Sequence, residues 1–134
     1  MSGINWQKYT LDGWLEQFGA WCDTVMRDEP DDLSENALYR LMVSSGYLHR
    51  PYHCKIICEI TSQEALAVQN LLTHTIKQAN AQMRNDISLL IAHKVSGFSL
   101  RKIADNLGLS TIDVRMRIQG ARGYIKGRFW QIFA

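Results

Sequence analysis

The chain has 134 residues, a formal net charge of +2 and 46% hydrophobic side chains, which is the size and balance of a single domain able to bury its own core. No apolar run is long enough to span a bilayer and the N-terminus lacks a signal-peptide core, so a cytosolic chain with no membrane partner is expected. The three cysteines, Cys22, Cys54 and Cys58, are an odd number in that compartment and read as thiols rather than bridges.

Charge is divided unevenly. Residues 1–70 carry five basic and ten acidic side chains, and residues 71–134 carry ten basic and three acidic, for nets of −5 and +7. A basic half suggests a polyanionic partner, and an acidic half argues against a non-specific basic coat.

In chain order, Leu11, Trp14, Leu15, Phe18, Cys22, Val25 and Met26 recur at three- and four-residue spacing and predict one helix with a wide apolar stripe. The run "RDEPDDLSE" ends it at Pro30 and offers Ser34 as a cap. A second helix over roughly residues 35–44 presents Leu38, Leu41 and Met42, and Gly46 stops it. In "GYLHRPYHCKIICEI", Pro51 breaks any helix, and "KIICEI" suits a short strand or a buried extended segment. Thr61 and Glu64 then make a T-x-x-E capping box. The helix after it carries Leu66, Val68, Leu71, Leu72, Ile76, Ala79 and Met83. Asp86 is read as the cap of a further helix with Leu89, Leu90 and Val95, ended by Gly97. The fold class expected is mainly α: a compact helical domain over residues 1–134, with N-terminal helices in residues 1–83.

The stretch "SLRKIADNLGLSTIDVRMRI", residues 99–118, is the most informative. Ser99 can cap a helix with Leu100, Ile103, Ala104 and Leu107 on one face. Gly108 suits the left-handed residue that ends a helix, and Leu109 can plug the space between helices. Ser110 and Asp113 give a second capping pattern, S-x-x-D. The next helix stripes Val114, Ile118, Ala121 and Ile125. Helix, glycine turn and helix, with residues 86–95 packed behind, form a helix-turn-helix pattern over residues 86–128.

At about 100° per residue, Thr111, Arg115, Gln119, Arg122 and Lys126 fall to one side of that stripe, with Ile112 and Met116 near the opposite pole. Arg115 can fork onto guanine and Gln119 can pair with adenine, while Thr111 or Met116 can touch a thymine methyl. Arg101, Lys102, Arg122, Lys126 and Arg128 suit phosphate contacts, and the helix N-terminus at Ser110 and Thr111 offers backbone donors to another. An ordinary helical hairpin with a solvated basic face is common, but here two caps, one glycine turn and a one-sided basic second helix agree on a reader. Double-stranded DNA is therefore the expected partner.

Other constellations carry less. His49, His53, Cys54 and Cys58 make H-x3-H-C-x3-C, ligand types that zinc accepts. The adjacency of His53 and Cys54 and the lack of a C-x2-C knuckle weigh against a site, and thiols in "CKIIC" suit a core. No metal and no cofactor is expected. Trp14 and Trp21 suit the core, and the tail residues Phe129, Trp130, Ile132 and Phe133 either dock on the domain or offer a partner surface. No nucleophile elbow, H-E-x-x-H or P-loop is present, so the expected protein is not an enzyme.

Residues 90–127, "LIAHKVSGFSLRKIADNLGLSTIDVRMRIQGARGYIKG", resemble the C-terminal half of the lambdoid-phage antitermination proteins called Q, of the class distinct from the zinc-bearing lambda type. The matching positions are His93, Val95, Gly97, Ser99, Ile103, Ala104, Ser110, Arg115, Gln119, Ala121, Gly123, Ile125 and Gly127. "LEQFGAWC" resembles the family's tryptophan–glycine–tryptophan opening, with Phe18 where tryptophan is usual, and "EITSQEALAVQNLL" resembles the link into the third helix. Sigma-factor region 4 has a similar helix-turn-helix, so the combination with the tryptophan helix is the specific part.

The resemblance implies a protein that binds DNA near the phage late promoter and loads onto bacterial RNA polymerase paused with its sigma factor. It would then stay in the elongation complex, with nascent RNA threaded nearby, and suppress pausing and termination. Residues 1–83 would supply polymerase contacts, and the site of action would be the host cytoplasm, at the nucleoid. The alternative is a conventional helix-turn-helix repressor or activator acting at initiation.

Overall fold

The computed structural model describes residues 4–28 and 56–133, with the side chains of residues 25–28 excepted. The expected helix over residues 35–44, the "RDEPDDLSE" loop, Pro51, and His49, His53 and Cys54 lie outside the described residues. Described residues are mainly helical, and no strand occurs among them.

A 3-10 turn, Trp6–Lys8, precedes helix α1, Leu11–Asp28. Thr10 Oγ1 accepts from the Gly13 N–H at 3.1 Å, satisfying one of the amide donors that a helix start leaves open. Leu11, Trp14, Leu15, Phe18 and Cys22 are buried, so the expected stripe is the core face. Buried Trp14 keeps its polar edge satisfied by donating Nε1–H to the Trp6 carbonyl at 2.8 Å. Trp21 is half-buried against the core.

Residues 56–60 form no strand. They are fastened to α1 instead. Gln17, buried on α1, donates Nε2–H to the Ile57 carbonyl at 3.0 Å and accepts the Glu59 N–H at 2.6 Å. One amide side chain does the work a ladder partner would do.

Helix α2, Ser62–Gln78, starts with the expected capping box: Thr61 Oγ1 accepts from the Glu64 N–H at 3.1 Å, and Glu64 accepts from the Thr61 N–H at 2.9 Å. It stops earlier than its apolar pattern suggested. Ala79 is extended at its end, and Asn80 caps a new helix, α3, Ala81–Leu90, by accepting from the Met83 N–H at 2.8 Å. Asp86 is therefore not a cap. It lies inside α3, buried, within reach of the Gln82 amide. The apolar spacing runs across the break because both helices face one core, so periodicity alone does not mark the boundary.

From Leu90 the chain widens into a π turn, Ile91–Val95. Gly97 then takes a positive φ of 83°. His93 Nδ1–H donates to the Phe98 carbonyl at 2.8 Å, which pins the reversal. Helices α4, Leu100–Leu107, and α5, Thr111–Arg128, follow, and the short α6, Trp130–Phe133, closes the chain. One apolar cluster unites α1, α2, α3, the π turn, α4 and α5. Within it α3 packs along α5, α1 packs on α2 and the π turn, and α4 packs on α5.

Candidate nucleic-acid interface

Local chemistry sets the α4–α5 pair. Ser99 Oγ accepts from the Lys102 N–H and Ser110 Oγ from the Asp113 N–H, each at 3.1 Å. Between the helices lie only Gly108, Leu109 and Ser110. Gly108 adopts φ 68°, a left-handed conformation that a Cβ disfavours. The N–H groups of Gly108 and Leu109 both return to the Ala104 carbonyl, closing the end of α4.

This turn corrects one expectation. Ile103 and Ala104 are buried and Leu100 is half-buried, but Leu107 is 48% exposed. The left-handed turn carries Leu109 back against the core and leaves Leu107 outside at the end of its helix.

Val114, Ile118, Ala121 and Ile125 are all buried and seat α5 on α3. Full burial of each large member contributes about 1.5–3 kcal/mol. With that stripe fixed, the orientation of every other α5 side chain follows. Thr111, Arg115, Met116, Gln119 and Lys126 are exposed, as are Ser110 at the cap and Arg101 and Lys102 on α4. Arg117 is exposed on the opposite flank.

Two arginines make side-chain bonds within the fold. Arg122 Nε donates to Asp12 Oδ1 of α1 at 2.9 Å, and its Nη1 donates to Gln119 Oε1. Arg122 is half-buried, and its bond to Asp12 braces α5 against α1. Lys94 joins the same patch, 3.5 Å from Glu16 Oε2 and 4.0 Å from Asp12 Oδ2. Arg128 donates to Gln78 Oε1 at the end of α2 and lies over the Tyr124 ring, 5.8 Å from its centre. Arg122 thereby holds Gln119 by its side-chain oxygen.

Asp12 is the residue that sequence reasoning missed. It lies 110 positions from Arg122, and no local pattern announces the pair. The aromatic tail divides between docking on the domain and standing exposed. Phe133 meets Trp6 edge-on with ring centres 6.0 Å apart, whereas Trp130 is 63% exposed. Cys58, one of the four considered zinc ligands, donates Sγ–H to the Ile60 carbonyl at 3.6 Å. Among the described residues no group of three or more histidines, cysteines or carboxylates is arranged to hold a metal ion, and no helix is long and apolar enough to cross a membrane.

The family model for phage antitermination protein Q matches residues 9–132, spanning α1 through nearly all of α6. No curated protein and no solved structure matches the chain.

Proposed function

Because the chain belongs to the phage antitermination protein Q family, we propose that it is a late-gene antitermination factor that binds DNA near a late promoter, loads onto paused RNA polymerase and its sigma factor, and suppresses pausing and termination. It acts by binding alone, without a cofactor and without catalysis of its own, in the cytoplasm of the host. The family match over residues 9–132 carries this reading.

The DNA half of the reading draws support from α4 and α5. Two capped helices joined by a three-residue turn, with a third helix behind, support a helix-turn-helix reading. In that role α5 enters the major groove. Arg115 and Gln119 reach base edges, while Arg101, Lys102 and Lys126 hold phosphates. The exposed Trp130 and the acidic N-terminal half are left for the protein partner.

The test is transcription in vitro from the late promoter of the parent phage through a downstream terminator. Added protein should raise read-through and should be retained on the elongating enzyme. A change confined to initiation, with no gain in read-through, would replace this reading with that of a conventional repressor or activator.

A further inference from the structure

We propose that the pole of α5 farthest from the core reads thymine 5-methyl groups through Ile112 and Met116. This rests on α5 acting as a major-groove helix, and it names the base feature that helix senses.

Ile112 and Met116 are 64% and 67% exposed. They stand one turn apart on the outward pole, and the positions continuing that pole are Gly120, Gly123 and Gly127. No charged side chain occupies it, and exposed Gln119 borders it about 20° from Ile112. The charges stand beside it instead: Arg115 and Lys126 on one flank, and Arg117 on the other beyond the capping-turn carboxylate of Asp113, all exposed. A solvated helix normally turns charge outward and apolar groups in. Here the outermost line is apolar and the charge is displaced to both sides.

That arrangement complements a groove with anionic walls and an apolar point on its floor. In the major groove the thymine methyl is the apolar feature, and the phosphates line the walls. Charge selects nucleic acid over a protein partner, since residues 71–134 carry a net +7. Neither Ile112 nor Met116 has a strong donor or acceptor, so neither distinguishes bases by hydrogen bonding. What they discriminate is the presence of a methyl. Four residues of helix advance about 6 Å, and successive bases on a strand lie about 3.4 Å apart. The two methyls should therefore be separated by one or two base steps.

The test is in-vitro selection of the full chain on a random-sequence duplex library. The recovered duplex is then titrated with each thymine in turn replaced by deoxyuridine, which removes the methyl alone. One or two neighbouring replacements should weaken binding about threefold to fivefold each, the effect of one buried methyl-sized group. Ile112→Ala or Met116→Ala should cost a similar factor on the thymine duplex and no longer distinguish deoxyuridine at one of those positions. Both side chains are exposed, so the variants should melt as the wild type does. A recovered duplex bound equally well whatever thymine is replaced overturns the methyl reading and leaves groove binding standing. Enrichment of no duplex at all overturns groove binding and this inference with it.

Discussion

Arg115 and Lys126 share one flank of α5, and both are exposed, but their chemistry separates them. Arg115 lies in the first turns, where a reader helix meets base edges, and its planar fork suits guanine. Lys126 lies near the far end and offers a point charge. Arg115→Ala should cost about 1–3 kcal/mol of specific binding and relax preference at one base pair. Lys126→Ala should weaken all duplexes alike and lower the salt slope by about one. Titrations on the selected duplex and on single-base variants at several salt concentrations check both. Identical behaviour of the two would mean that α5 is turned differently.

Glu64 gives a residue-scale prediction about stability. The Thr61 N–H donated to its carboxylate holds its pKa below the usual range. Partial burial opposes this, and the Lys8 ammonium 3.1 Å away adds to the lowering. A lowered folded pKa means the unfolded chain takes up the proton first as pH falls. The contribution is complete above the ordinary glutamate value of about 4.3 and fades as pH drops through the lowered value. Glu64→Gln should flatten that part of the stability curve, measured as denaturation midpoint against pH.

At the scale of the element, two glycines in the α4–α5 pair should respond with opposite signs. A Cβ at Gly108 meets nothing within 4 Å, but the residue sits at φ 68°, so Gly108→Ala carries backbone strain of about 1–2 kcal/mol and lowers the melting temperature. Gly123 is helical with nothing within 4 Å, so Gly123→Ala should stabilise the fold by about 0.5–1 kcal/mol. A neutral Gly108→Ala would mean the turn is not under the restraint described. The elements also show where local signals stop. The Thr61, Ser99 and Ser110 caps are chemical patterns of four residues and could be read directly. The break at Asn80 could not, because apolar residues of α2 and α3 point into the same core and keep a common rhythm across it. For the same reason Asp86 looked like a start signal and lies instead in the middle of α3.

For the whole molecule, α1 is the element that ties the parts together. It packs on α2 and on the π turn, holds residues 56–60 through Gln17, and reaches α5 through Asp12. Phe18, fully buried on α1, should therefore be felt globally. Phe18→Ala should cost about 3–5 kcal/mol, a large share of the about 5–15 kcal/mol that holds a domain of this kind together. Denaturant unfolding followed by tryptophan emission and by far-ultraviolet dichroism should shift together. A loss confined to the N-terminal tryptophans would show that α1 and the α4–α5 pair are separate cooperative units.

The sequence by itself determined the helical class, the Thr61, Ser99 and Ser110 caps, the glycine turn and the buried stripe of α5, since each follows from side chains within a turn or two of one another. With the stripe known, the exposure of Arg115, Met116 and Gln119 followed too. Only the tertiary structure decided which cations are tied into the fold. Arg122 bonds to Asp12 and Arg128 to Gln78, partners 110 and 50 residues away. An arginine's charge is written in the chain, but its availability depends on what the fold carries alongside it, and no local pattern encodes that distance.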